Sequence, residues 1–249
     1  MMAALRSTLH MAFMFVTVIP YSLVIVLARL LGARGDQLYG MAQKWLTLSV
    51  DAARVIMGIR YQIQGQENLP LGETSPAILL VKHQSTYETF LMPAIMPHPL
   101  AYVFKKELLY VPFFGWAIGS LDMIHIDRSQ RAKAFAKVVE QGQALLAKGV
   151  WVIMFPEGTR IPRGQRGSYK SGGARLAIAT GAPVIPVAVT SAKCWPRKAF
   201  IKYPGVVDVS IGKPIPTQGR DADELTREVE AWIEAEMQRL DPEAYPAPR

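Results

Sequence analysis

The residues Lys82-His83-Gln84-Ser85-Thr86-Tyr87-Glu88 follow directly on the apolar run Ala77-Ile78-Leu79-Leu80-Val81. A histidine with a carboxylate just downstream can act as a general base and the group that orients it. Imidazole exchanges protons near neutral pH, and a carboxylate fixes its tautomer and stabilises its protonated form. The same stretch also has a purely structural reading. Ser85-x-x-Glu88 fits a capping box, in which the two side chains satisfy free N–H groups of a first helical turn. The exit of a buried strand is where ligands of α/β sheets usually bind, which favours chemistry. Side chains on a helix advance by about 100° per residue, so His83 must lie just before the first turn if Glu88 is to reach it.

Two further candidate strands also end in reactive groups: Met123–Ile126 runs into Asp127-Arg128, and Val150–Phe155 into Pro156-Glu157-Gly158-Thr159-Arg160. The second places a turn glycine beside an arginine, whose planar fork suits phosphate or carboxylate. A glycine turn with a surface arginine would explain that motif equally well. Other chemistries find less support. Cys194 is the only cysteine and has no activating base beside it. The chain can therefore form no intrachain disulfide and no four-cysteine zinc site, and a reducing compartment is expected. His83, His98 and His125 show neither H-E-x-x-H nor compact ligand spacing, so no metal is expected. Ser85 as a nucleophile is the weaker reading beside a histidine base.

Around these residues, short apolar runs alternate with helical patterns. The candidate strands are Tyr61–Gln64, Ala77–Val81, Ala101–Phe104, Met123–Ile126, Val150–Phe155, Pro183–Val189 and Val206–Ile211. Helices are expected from a cap at Ser129 to Lys148, from Ser171 to Thr180, and along the stripe Leu225, Val229, Trp232, Ile233, Leu240. This alternation predicts an α/β fold with a mixed, largely parallel sheet flanked by helices.

The N-terminal residues have a different character. Met11 to Ala28 carries no charge, is flanked by Arg6 and Arg29, and contains Pro20. It approaches the roughly 18-residue length of a spanning helix. It is long for a signal peptide and no small-x-small cleavage site precedes Arg29, which favours a retained anchor. From Asp36 to Ile59, Leu38, Met41, Trp45, Leu48, Ala52, Val55 and Ile56 recur at helical spacing, the mark of an amphipathic helix. The expected organisation is a hydrophobic two-helix, membrane-associating segment over 1–58, then one catalytic domain over 59–249.

Half of the 249 residues are hydrophobic, and 28 basic against 20 acidic residues give a net charge of +8. The excess suggests an anionic partner: nucleic acid, an anionic membrane surface, or phosphorylated substrates. Between Gly158 and Val207 there is no acidic residue, while Arg160, Arg163, Arg166, Lys170, Arg175, Lys193, Arg197, Lys198 and Lys202 fall there. A solvated basic face would have the same composition. No recognisable nucleic-acid motif is present, and the apolar N-terminus fits nucleic acid poorly.

Taken in order, KHQSTYE, FKKELLYVPFFGWAIGSLDMIHIDRSQ, MFPEGTR and VIPVAV resemble the four blocks of the glycerolipid acyltransferases, above all the 1-acylglycerol-3-phosphate acyltransferases. The likeness runs from about Tyr61 to about Pro216. One departure stands out: the family's first block usually ends in aspartate where this chain has Glu88. The resemblance implies that His83 is the general base and Glu88 its orienting carboxylate. It also implies that Glu157, Gly158, Thr159 and Arg160 bind glycerol phosphate, and that Lys105 and Arg128 add positive charge around the substrates.

The implied reaction moves a fatty acyl group from a thioester of coenzyme A or acyl carrier protein to the sn-2 hydroxyl of 1-acylglycerol 3-phosphate, making phosphatidic acid. It needs no other cofactor. The implied partners are a phosphorylated lysolipid, an acyl thioester, an anionic membrane surface and acyl carrier protein, with the catalytic domain on the cytoplasmic face. An acyltransferase for glycerol 3-phosphate or another lysolipid, and a non-catalytic lipid-binding protein, are the alternatives.

Overall fold

A computed structural model describes residues 1–72, 75–126 and 131–245. Its strands are β1 (Ile59–Gln64), β2 (Ile78–Val81), β3 (Leu100–Lys105), β4 (Ile124–Ile126), β5 (Trp151–Met154), β6 (Val184–Val189) and β7 (Gly205–Ile211). They form one seven-stranded sheet in the order β1-β7-β6-β2-β5-β3-β4. Every neighbouring pair is parallel except β6 and β7. All seven strands lie where the apolar runs predict them, in a mixed, largely parallel sheet flanked by helices.

The helices are α1 (Met2–Leu30), α2 (Asp36–Ala52), α3 (Tyr87–Ile95), α4 (Phe114–Ser120), α5 (Arg131–Leu146), α6 (Gly172–Thr180) and α7 (Ala222–Leu240). A π-helical turn, Ala53–Met57, carries α2 into the left-handed Gly58 that opens β1. The expected cap Ser129 lies outside the described residues.

Helices cover both faces of the sheet, which explains why β2 reads as an unbroken apolar run rather than an alternating one. Ile78 and Leu80 join Val138, Leu145, Leu176, Leu225, Val229 and Ile233 on the α5–α7 side. Leu79 and Val81 join Val50, Met57, Tyr87, Leu91 and Met92 on the α2–α3 side. Cutting such a leucine to alanine costs about 2–5 kcal/mol, the lost transfer free energy of the removed atoms plus a term for the cavity left behind.

The parallel run β6-β2-β5-β3-β4 brings the carboxyl ends of five strands to one edge, and the N-terminal helices lie along that edge. The Trp45 and Phe90 rings meet edge to face at 5.9 Å, and Gln43 Nε2 donates to the Pro93 carbonyl at 2.7 Å, tying α2 to α3. Trp45 Nε1 donates to Thr17 Oγ1 at 3.0 Å, tying α2 to α1. Near the start of α1, Ser7 Oγ accepts from the Lys202 N–H at 2.9 Å and His10 meets the Trp195 ring at 5.3 Å. Further along, Ile25 packs with Leu38 and with Ala117 of α4.

Helix α1 therefore reaches from the β6–β7 connection to the β3–β4 connection, across the end of the sheet. Its 29 residues are long and apolar enough to cross a membrane. Phe15, Val16, Ile19, Leu23, Val24 and Leu27 on it are exposed.

Candidate active site

Five residues separate the end of β2 from the start of helix α3, which leaves His83 ahead of the first turn and Glu88 inside it. His83 Nδ1 lies 2.9 Å from Glu88 Oε1. Because an ionised carboxylate only accepts, Nδ1 carries the proton in this contact, and in the neutral imidazole Nε2 keeps its lone pair. The Glu88 side chain is fully buried and that of His83 is 12% exposed, so the imidazole alone of the pair meets solvent.

Glu88 Oε1 also accepts the N–H groups of Gln84 at 2.8 Å and Ser85 at 2.7 Å, while Ser85 Oγ accepts the N–H of Tyr87 at 3.1 Å. The helix-start reading and the catalytic reading thus describe the same oxygen. These bonds occupy N–H groups that a helix start could otherwise offer to an oxyanion. The donors of Gln84, Ser85 and Tyr87 are spent on side chains, and that of Thr89 on the Thr86 carbonyl at 3.1 Å.

Helix α3 is held from outside. Pro93 has no N–H to give the Thr89 carbonyl, and the Tyr102 hydroxyl supplies the missing donor at 3.0 Å. Burial pushes the Tyr102 pKa well above its ordinary value, which keeps the hydroxyl a donor.

The loop after β5 wraps His83. The Phe155 ring stacks on the imidazole, with centroids 3.8 Å apart and planes 13° from parallel. Gly158 donates to the Phe155 carbonyl at 2.9 Å in a tight turn, at a φ of +66° that a side chain would strain. The Ile161 N–H donates to the His83 carbonyl at 2.7 Å, which places the half-buried Arg160 next in sequence to a residue bonded to the His83 main chain. Gly158 and Thr159 are exposed.

Glu157 faces the other way. Its Oε2 accepts the His83 N–H at 2.8 Å, and its Oε1 lies 2.7 Å from Lys82 Nζ, deep in the protein. Lys82 Nζ is also 2.6 Å from Glu234 Oε1 on α7. Burial lowers the Lys82 pKa, but the two carboxylates outweigh that and hold it above its ordinary value. One cation cannot neutralise both carboxylates. Burial accordingly pushes the Glu157 carboxyl up to about 7, against the pull of Lys82 and the His83 N–H.

The fold thus gathers His83, Glu88, Glu157 and the 158–160 loop. Lys105 ends β3 on the same edge and is exposed, but β5 separates it from β2. Two strand spacings put it about 10 Å from the His83 strand. Arg128 lies outside the described residues.

Part of the basic stretch is internally neutralised. Arg163 pairs with Asp241 at 2.6 Å and Arg166 with Glu230 at 2.9 Å. Among the described residues Arg160 pairs with no carboxylate.

Sequence reasoning missed Phe155, Lys82, Glu234 and Ser191. Ser191, just past β6, donates to Glu88 Oε2 at 2.6 Å. Lys82 alone left a signal: a lysine continuing a buried strand needs a buried acidic partner.

The fold and site define an α/β protein with a His–carboxylate pair at the strand-end edge of a mostly parallel sheet. The chain belongs to the acyltransferase family: the family model described as Acyltransferase matches residues 60–190. It is similar to the 1-acyl-sn-glycerol-3-phosphate acyltransferase of Pseudomonas aeruginosa, with 44% identity over 81% of this chain and 78% of that one. It is also 30% identical to the mouse 1-acyl-sn-glycerol-3-phosphate acyltransferase alpha, over 82% of this chain and 70% of that one. The solved structure of the 1-acyl-sn-glycerophosphate (LPA) acyltransferase of Thermotoga maritima shares the fold, with a TM-score of 0.78, 24% identity and 95% coverage of each chain.

Proposed function

We propose that the protein transfers an acyl group from a thioester to the sn-2 hydroxyl of 1-acyl-sn-glycerol 3-phosphate, giving phosphatidic acid and a free thiol. The observation that carries this reading is the 2.9 Å His83–Glu88 contact past the carboxyl end of the central strand β2, in a chain 44% identical to a 1-acyl-sn-glycerol-3-phosphate acyltransferase. Nε2 of His83 takes the hydroxyl proton as the oxygen attacks the thioester carbonyl. Glu88 stabilises the imidazolium that results. As the C–S bond breaks, the proton passes to the departing thiolate, so the chain itself forms no covalent intermediate.

Arg160 holds the acceptor phosphate, with Gly158 and Thr159 shaping the loop around it. Lys105 and Arg128 supply positive charge around the substrates. Glu157 serves the site from inside, through Lys82 and the His83 main chain. The donor is the thioester of coenzyme A or acyl carrier protein, and no other cofactor enters.

The site works at a membrane surface. Helix α1 is fastened to the body near both ends, at Ser7 and His10 and again at Ile25, which supports its lying in one leaflet. The catalytic domain then sits on the cytoplasmic face, where the basic surface meets anionic lipid.

The test is an assay of purified protein with 1-acyl-sn-glycerol 3-phosphate, glycerol 3-phosphate and phosphate-free lysolipids, each with both donor types. Phosphatidic acid should form fastest, and His83→Ala should lower kcat by on the order of 10²–10⁴. Arg160→Ala should raise KM for the phosphorylated acceptor, with Arg160→Lys restoring part of the loss because Lys lacks the fork. A wild-type rate in His83→Ala would remove the base, and preference for another acceptor would reassign the substrate.

A further inference from the structure

We propose that Lys82, clamped between Glu157 and Glu234, is a positioning residue for acyl transfer: through Glu157 it sets the main chain of His83, and through Glu234 it ties helix α7 to the reacting centre. The proposal rests on the reading of His83 as the base. Strand alternation separates the two neighbours. Lys82 continues the Ile78–Leu80 side of β2, toward α7, while His83 turns to Glu88 on the α3 side.

Lys82 is fully buried, with Nζ 2.7 Å from Glu157 Oε1 and 2.6 Å from Glu234 Oε1. The Tyr169 ring lies 5.7 Å from the ammonium, and its hydroxyl donates to the same Glu234 oxygen at 2.8 Å. Glu157 carries the connection onward, because its second oxygen accepts the His83 N–H at 2.8 Å. An unbroken chain of short polar contacts therefore runs from the C-terminal helix to the backbone of the base.

Stability is a poor reason for such a cluster. Desolvating each ion costs several kcal/mol, and well-packed apolar side chains of the same volume often serve as well or better. What apolar side chains cannot do is hold a carboxylate against one particular N–H. His83 is otherwise fixed at its carbonyl by Ile161, at Nδ1 by Glu88 and on its ring face by Phe155. The N–H contact is the one that orients the peptide plane entering the base. A shift of about 1 Å in a reacting group can cost on the order of 100-fold in rate.

Lys82 acts through another residue and meets no substrate, so its loss should appear in kcat alone. The experiment measures kcat, both KM values and the thermal midpoint for Lys82→Met, Glu157→Gln and the double variant, with His83→Ala alongside. Lys82→Met should lower kcat roughly 10–100-fold, with both KM values unchanged. The double variant should be no slower than the slower single variant, because the two residues share one path. A folded Lys82→Met at wild-type kcat, a loss confined to KM, or additive losses in the cycle would each overturn the proposal.

Should Lys82→Met fail to fold for want of a cation between two carboxylates, Lys82→Met combined with Glu234→Gln removes one charge of each sign. The same kcat loss is then expected, and a wild-type kcat is equally fatal. Activity surviving in His83→Ala would instead remove the base reading, whatever the Lys82 variants do.

Discussion

The Ser191 hydroxyl donates to Glu88 Oε2 at 2.6 Å, across 103 positions of sequence. With His83, Gln84 and Ser85 all on Oε1, this bond fixes the second oxygen and hence the rotation of the carboxylate. Ser191→Ala should leave the fold intact and both KM values unchanged while lowering kcat about 3- to 30-fold. The structural cost should be about 1.5–3 kcal/mol, the value of a hydrogen bond to a charged group. Steady-state kinetics with thermal unfolding checks this, and a fully active Ser191→Ala would show that Oε1 alone orients the imidazole.

Glu88→Gln separates the helix-capping bonds of Glu88 from the catalytic role proposed for it. The amide oxygen can still accept from Gln84, Ser85 and His83, and the amide nitrogen can face Ser191, so the helix start should persist. The charge that stabilises the imidazolium is lost. We expect kcat to drop by on the order of 10²–10⁴ with little change in unfolding temperature. Glu88→Asp keeps the charge on a shorter arm and should fall between Gln and wild type. Full activity in Glu88→Gln would return Glu88 to a helix cap.

The buried cluster makes stability depend on pH. Glu157 has an ordinary carboxyl pKa of 4.5 when unfolded and is raised to about 7 in the folded protein. Between those values the folded state binds more protons, so this group's contribution to stability falls as pH rises through the window and is flat above it. Glu157→Gln is neutral throughout. Relative to wild type, it should therefore gain on the order of 1–3 kcal/mol between pH 5 and pH 8. Denaturant unfolding of both proteins at the two pH values measures it, and a constant difference would place the excess proton elsewhere.

Removing residues 1–34 should lower the fraction of protein that sediments with vesicles, because α1 carries the exposed apolar row from Phe15 to Leu27. Residual binding should weaken as salt rises, being electrostatic. Removing residues 1–58 should do something different. Val50, Ala53 and Met57 are buried in the same core as β2 and α3, so that truncation should yield aggregated or unfolded protein. A soluble, cooperatively melting 59–249 fragment would show that the core closes without α2.

Local sequence determined the elements. The seven apolar runs are strands because β-branched and large apolar residues bounded by turns fit a sheet covered on both faces. Periodicity was enough to find α2, α5, α6 and α7, and the strand exits carrying His83 and Phe155-Pro156-Glu157-Gly158-Thr159-Arg160 could be read directly. The short helix α4 could not, because Phe114–Ser120 is two turns of apolar and small residues with no polar face to reveal a period.

Strand order was decided only by the tertiary structure. Nothing local says that β2 lies between β5 and β6, yet that placement brings Ser191 to Glu88 and the 155–161 loop to His83. Lys82 and Glu234 meet across 152 positions for the same reason. The demand for a buried acid is written beside Lys82, but its identity depends on which helix packs against that face of β2. Packing of the whole chain makes that choice, because each contact is worth only a few kcal/mol and none of them alone sets the order of the sheet.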